Sequence, residues 1–292
     1  MNYYIFDAHC DTLSYLLDSD EPFQINNAMM DRSRLNQYKR YTPVFACFIA
    51  PEYRSCALER CLEMIHRFHH EHFPGVLSIE GAEMITSVPI LYNLYRLGVR
   101  MVALTWNHTN HLAGGADDTN PMHGLTEFGE TIVKEMNKLN MYIDVSHLND
   151  RSFYDIAEIS SLPIIASHSN SRAVCNHRRN LTDDMFEIIR QSGGCVGINF
   201  YPPFLNESGS ATIDDIIRHI EHFMELGGED NIGIGSDFDR TDGLMPDGIN
   251  GCQDTYKLLD RLLQLNYTYR QVAKISHRNF ERFFKPERKN HA

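Results

Sequence analysis

No stretch of the 292-residue chain approaches the roughly 18–20 consecutive apolar residues that span a bilayer, so a transmembrane helix is not expected. The first ten residues, Met-Asn-Tyr-Tyr-Ile-Phe-Asp-Ala-His-Cys, lack a basic segment followed by a long apolar one, and no secretory signal is read there. Cysteine is sparse and odd in number: seven, of which only Cys56 and Cys61 lie close together. Free thiols in a reducing, cytoplasmic compartment are the expectation. Positive charge is short as well. The 27 Lys and Arg face 39 Asp and Glu, for a net charge of −12. Non-specific binding to nucleic acid or to an anionic membrane needs a basic surface, so neither partner is expected. A Pro- or Ser-rich linker and a block of like charge are both missing, and the chain reads as one domain over 1–292.

What is present is ordinary for a globular protein. The chain is 42% hydrophobic and 23% charged, which excludes disorder, collagen and coiled coil. Short β-branched or apolar runs at 3–8, 43–50, 75–79, 100–105, 141–146, 163–167, 195–200 and 232–236 alternate with helical patterns at 55–72, 89–97, 127–139, 151–160, 183–191 and 213–226. Strands alternating with helices of about 10–15 residues predict βαβ units and a parallel sheet. Thr182 and Thr212 are placed to N-cap helices, with Asp183, Asp184, Asp214 and Asp215 favouring the positive helix end. Gly98, Gly193 and Gly227 stand where helices stop. Eight such units without a boundary predict an α/β fold, a single (β/α)8 barrel of the TIM type, followed by a helical tail over 254–284. Residues 18–42 are polar and irregular and are not placed.

The chemistry-bearing residues fall at one end of these strands. His9 and Asp11 stand two apart at the end of the first, where a period of two puts both on one face. Glu80 closes the third strand, His147 the fifth, His168 the sixth and Asp237 the eighth. Barrels of this type build their active sites at the C-terminal strand ends. Three histidines with carboxylates suit zinc or a similar divalent ion. Zinc takes about four ligands, so these groups exceed one site, whereas a shared carboxylate serves two. A lone histidine at a strand end is usually a packing residue; six such residues at the same end of the strands make coincidence a poor account. By contrast, His66, His69, His70 and His72 crowd one helix and read as a solvated face. Cys10, between His9 and Asp11, points away from the site.

The segments Asp-Ala-His-Cys-Asp-Thr, Ser-Ile-Glu-Gly, Gly-Leu-Thr-Glu-Phe-Gly, Asp-Val-Ser-His, Ser-His-Ser, Arg-Arg-Asn-Leu-Thr-Asp-Asp, Asn-Phe-Tyr and Gly-Ser-Asp-Phe-Asp occur in that order along nearly the whole chain. Together they resemble the membrane (renal) dipeptidase family, peptidase family M19 of the amidohydrolase superfamily. The resemblance implies a binuclear zinc dipeptidase that acts on short peptides. His9 and Asp11 would hold the first ion, Glu80 would bridge, and His147 and His168 would hold the second. Asp237 matches the catalytic acid/base, Arg179 the group that binds the substrate's C-terminal carboxylate, and Tyr201 a pocket residue. A homodimer is also implied. The sequence departs from the family where Trp106 replaces a histidine that contacts the scissile carbonyl. His108, two residues on, is either its substitute or a loop histidine. The secretion signal and lipid-anchor tail of the membrane forms are not seen. Two alternatives stay open: an amidohydrolase of the same architecture acting on another amide, lactam or ester, and a binding protein that retains metals without turnover.

Overall fold

The structure, a computed structural model, describes residues 1–120 and 122–284. Among these, eight parallel strands close into a barrel in sequence order, β1-β2-β3-β4-β5-β6-β7-β8. They are β1 Tyr4–Cys10, β2 Arg40–Phe48, β3 Val76–Glu80, β4 Val99–Ala103, β5 Tyr142–Asp144, β6 Ile165–Ala166, β7 Cys195–Ile198 and β8 Ile232–Ile234. The alternation of strand and helix is as the sequence predicts. Helices at Ala57–His70, Val88–Arg96, Glu127–Lys138, Asp150–Ile159, Asp183–Gln191 and Ile213–Glu225 fall within a few residues of the expected spans. The Thr182 hydroxyl accepts from the Met185 amide, and Asp215 accepts from the Thr212 amide at 2.7 Å, so both caps form. The unplaced stretch holds the end of a helix, Thr12–Ser19, a single turn, Arg32–Leu35, and the start of β2. Its signal is weak because both helices are short, and the turn is capped by Asp31 rather than marked by an apolar face. No helix among the described residues is long and apolar enough to cross a membrane.

Two apolar clusters account for the packing. The larger lies between strands and helices. The smaller joins Phe6, Ala8, Val44, Met101, Ile165 and Cys195 to Phe280. Strands as far apart in the barrel order as β1, β4 and β6 meet only across its interior, so this cluster is the barrel's filling. The tail seals it: Phe280 and Phe284 stack on Phe6 at 5.9 and 5.4 Å, and Phe283 stands edge-on to Tyr142. Gly233 makes room, since a Cβ there would lie 2.3 Å from the Phe280 ring. One end of the barrel is therefore plugged and the strand C-termini are left for the site.

His219, on the helix Ile213–Glu225, is buried behind the loop that follows β6. Its Nδ1 accepts from the Ser171 amide at 3.1 Å, so Nε2 carries the proton and donates to the Leu205 carbonyl. Burial pushes its pKa down to about 4. The unfolded chain takes up that proton near 6.5, so protonation favours unfolding, and the stability tied to neutral His219 is complete above pH 6.5 and lost as pH falls toward 4. We expect the fall in melting temperature between pH 7 and 4.5 to be smaller for His219→Gln than for wild type; equal falls would show that His219 does not set the acid limb.

Candidate metal centre

Local structure aims each side chain. Phe6 and Ala8 face the interior, and strict alternation from them would turn His9 outward. The register between β1 and β2 shifts between Asp7 and Cys10, and this irregularity brings His9 and Asp11 to the mouth while Cys10 joins the outer cluster. The expected common face is thus reached through a bulge rather than through regular pleating. Backbone bonds then tie the site's edge together: the Asp11 amide donates to the Phe238 carbonyl and the Asp237 amide to the His9 carbonyl. His147 and Asp237 sit at φ 70° and 62°, left-handed turns that swing each side chain off its strand axis into the opening.

The structure brings the six strand-end residues together. Glu80 divides its two oxygens. Oε2 lies 3.5 Å from His9 Nε2, and Oε1 lies 2.6 Å from His147 Nε2 and 3.5 Å from His168 Nε2. His9 Nε2 is also 3.5 Å from Asp11 and 3.7 Å from Asp237. The donor atoms of His9, Asp11 and Glu80 lie within 4.8 Å of one another, as do those of Glu80, His147 and His168. Both triads are buried, and Glu80 belongs to both.

Charge and hydrogen bonding show that the pocket wants cations. His9 has no hydrogen-bond partner at either ring nitrogen, and Asp11 Oδ1 has none. Burial opposes charge on His9, but Glu80 and Asp11 outweigh it and hold its pKa well above normal. A proton on His9 stands where positive charge is required. Burial raises Asp11 well above the usual carboxylate range. Burial, together with the Arg179 charge, pushes His147 down to about 4, so its ring is neutral and able to ligate at pH 7. The unsatisfied nitrogens and oxygens, all hard or borderline donors, fit divalent ions of the zinc type.

Further residues that the sequence reading did not single out orient these groups. Asn107 Oδ1 lies 2.7 Å from His147 Nδ1, which leaves Nε2 for the centre. Ser167 Oγ lies 2.7 Å from His168 Nδ1 while its own hydroxyl donates to the buried Asp144. Asp144 also accepts from the Ser146 and Ser167 amides, both at 2.9 Å. Asp7 plays the matching part on the other side. It accepts from the Ser236 amide at 2.9 Å, from Ser236 Oγ at 2.6 Å and from the Tyr41 hydroxyl at 2.8 Å, fixing the residue before Asp237. Asn199 donates to Asp237 Oδ2 at 2.9 Å and accepts from the Tyr201 amide. The signal for Asn199 was its place in Asn-Phe-Tyr; for Asp7 and Asp144 it was a carboxylate inside an otherwise apolar strand.

Above the centre opens a cavity of ≈ 330 Å³ lined by Asp11, Phe48, Glu80, Trp106, Asn107, His147, Tyr201, Phe204 and Asp237 among others. Trp106 and Tyr201 both border it. His108 does not: it is exposed, its ring edge-on to Trp106 at 5.5 Å, because the loop after β4 turns outward beyond Asn107. Arg179 is buried at 5% exposure beside that wall, with Nη2 3.5 Å from the His168 carbonyl and its guanidinium 5.4 Å from the Phe204 ring. Its Nε has no hydrogen-bond partner, and no carboxylate lies within ion-pair distance among the described residues. Arg178, by contrast, is exposed and faces Asp117 at 3.4 Å.

A parallel barrel with carboxylates and imidazoles converging at its strand C-termini defines the class of metal-dependent barrel enzymes. The profile described as membrane dipeptidase, peptidase family M19, matches residues 55–292, and the chain belongs to that family. An uncharacterized dipeptidase of Schizosaccharomyces pombe is 36% identical over 219 residues, 72% of this chain and 52% of that one. The chain thus spans about half the length of that relative. A Klebsiella pneumoniae protein named only for its place in the pqqA 5' region is 34% identical, covering 82% of this chain and 87% of its own. A solved Rhodobacter sphaeroides metallo peptidase, liganded with a phosphinate mimic of the dipeptide L-Ala-D-Ala, superposes with a TM-score of 0.88. It is 26% identical and covers 97% of this chain and 99% of its own.

The three donors around Asp7 make a direct test of how the β1–β8 seam is held. Asp7→Asn places an amide N–H against donors and orphans at least one of them, at a cost of roughly 1–3 kcal/mol. The exposed Asp20→Asn should change stability by less than about 0.5 kcal/mol. Urea unfolding of the two variants checks this, and equal stabilities would remove Asp7 from the support of the site.

Proposed function

We propose that the protein is a dipeptidase dependent on two divalent metal ions, with zinc the first choice. The reading rests above all on one observation, that Glu80 is common to two buried triads whose other donors are His9 with Asp11 and His147 with His168. Membership of the M19 family and the dipeptide mimic held by the Rhodobacter relative support it. His9, Asp11 and Glu80 would hold one ion and Glu80, His147 and His168 the other. Ions of this kind lower the pKa of water from 15.7 toward about 7 and polarise a peptide carbonyl.

The remaining steps belong to the protein. Asp237 lines the cavity and lies 3.7 Å from His9 Nε2, and burial raises its pKa above the ordinary value. Asn199 holds one of its oxygens and leaves the other to take a proton from the attacking water and return it to the leaving amine. Arg179, a buried cation without a carboxylate partner, binds the C-terminal carboxylate of the substrate through its planar fork. Trp106, Phe48 and Tyr201 wall the peptide off from bulk water.

Asp237→Asn separates catalysis from ligation. The variant should keep two ions per chain by elemental analysis and an unchanged melting temperature, and lose turnover by about 100- to 10,000-fold. Loss of an ion would make Asp237 a ligand; retained turnover would remove it from the proton path.

Arg179→Lys keeps the charge and loses the fork. With a charged hydrogen bond worth roughly 1.5–3 kcal/mol, kcat/KM for a free dipeptide should fall by about 10- to 100-fold. Amidation of the substrate's C-terminus should cost the wild type as much and the variant little more. Equal cleavage of free and amidated dipeptides by the wild type would refute the clamp.

A further inference from the structure

The cavity over the metal centre has an apolar stretch on which hydrolysis of a peptide bond makes no call. Phe48, Ala50, Pro51 and Trp106 line it. Phe48 and Ala50 are buried, Pro51 and Trp106 half-buried, and the Phe48 and Trp106 rings lie 5.5 Å apart. These four side chains hold one polar atom between them, the indole nitrogen. A charged or amide group pressed against them loses water without gaining partners, whereas an aliphatic or aromatic group gains by leaving water.

The order of strands around the ring decides which end of a substrate meets this surface. Phe48 ends β2, and Ala50 and Pro51 follow it directly; β2 stands four strands from β6, the far side of an eight-stranded ring. The loop after β6 carries Arg179, whose guanidinium leans on Phe204 from the loop after β7. Trp106 follows β4, nearer to that anchor in strand order, yet its ring turns to Phe48. The two rings come from strands on either side of β3 and meet over its end, where Glu80 stands and which lies four strands from β7. The pair therefore faces the Arg179–Phe204 side across the metal centre. A dipeptide held by its C-terminal carboxylate at Arg179, with its peptide carbonyl at the centre, has its N-terminal residue left to place. At about 3.3–3.6 Å per extended residue that residue continues past Glu80 toward β2, and its side chain comes onto the Phe48–Trp106 wall.

We infer that this wall is the subsite for the N-terminal side chain and that it selects apolar residues of leucine size or larger. The inference deepens the dipeptidase reading and rests on it, with Arg179 as the carboxylate anchor. It makes Phe48 and Trp106 the residues that set specificity among substrates that the same centre hydrolyses.

The test uses the zinc-loaded enzyme and four peptides, Leu-Ala, Asn-Ala, Ala-Ala and Ala-Leu. Asparagine nearly matches leucine in shape but is polar. With one methylene in a closed apolar pocket worth about 10-fold or more, and this wall only partly closed, kcat/KM for Leu-Ala should exceed that for Ala-Ala by about 10- to 100-fold and that for Asn-Ala by a similar factor. In Trp106→Ala the Leu-Ala to Ala-Ala ratio should collapse toward one, while the Ala-Leu to Ala-Ala ratio holds; a melting curve verifies that the variant is folded. Trp106 is also the one tryptophan of the chain, so its emission reads the subsite without any substitution. A saturating phosphinate mimic of Leu-Ala should move that emission to shorter wavelength and shield it from acrylamide more than the mimic of Ala-Leu does. Equal shielding by the two mimics, no advantage of Leu-Ala over Ala-Ala and Asn-Ala, or a variant that keeps this advantage or loses that of Ala-Leu equally overturns the inference, while cleavage of Ala-Ala leaves the dipeptidase reading standing. If none of the four peptides is cleaved by the metal-loaded enzyme, the dipeptidase reading fails and this inference with it.

Discussion

Glu80 sits buried with both oxygens turned to imidazole nitrogens, and Asp11 and Asp237 lie across the same few ångströms. Burying an ionised carboxylate without compensation is prohibitive, and three in one mouth multiply the cost. Positive charge must therefore enter this space. Burial would raise the Glu80 pKa, yet the charge of His9 and the hydrogen bonds of His147 and His168 outweigh it and hold the carboxyl well below its usual range. The barrel is built around that requirement. It keeps the donors close enough that a cation satisfies several of them at once, and it denies His9 and Asp11 the protein partners that would make a cation unnecessary.

Holding unsatisfied groups in place requires support that lies outside the centre itself. Asp144 and Asp7 supply it by the same means. Each is a buried carboxylate that gathers backbone amides and serine hydroxyls from the next strand, fixing Ser167 ahead of His168 and Ser236 ahead of Asp237. Each thereby spends its charge on local donors. The opposite end of the barrel is sealed by the aromatic tail, Phe280 and Phe284 on Phe6, so only the mouth is wet. Function follows from this polarity: one end is closed by packed aromatics, and the other collects charge in a walled cavity.

The legible part of this organisation was local. A strand's alternation and a helix's cap are written within a few residues, so the barrel units, the capping by Thr182 and Thr212, and the strand-end positions of His9, Asp11, Glu80, His147, His168 and Asp237 could be read in order along the chain. The short helix Thr12–Ser19 and the turn Arg32–Leu35 escaped because neither is long enough to display a periodic face. His108 and Trp106 were indistinguishable as cavity residues in sequence, two positions apart on one loop; the outward turn after Asn107 separates them.

The sequence by itself determined which residue types stand at the strand ends, and therefore that divalent-metal chemistry at the mouth of a parallel barrel is what this chain can support. Only the tertiary structure decided how they meet. The irregularity in β1 that turns His9 inward depends on pairing with β2. The bond from Ser236 to Asp7 joins residues 229 positions apart, and Asn199 reaches Asp237 over 38. Arg179 is shut beside the cavity wall by Phe204, which arrives from the loop after β7. Such contacts exist only once the barrel closes. Periodicity along a chain encodes the face on which a side chain starts, whereas the partner that completes its hydrogen bonding is selected by ring closure across eight strands.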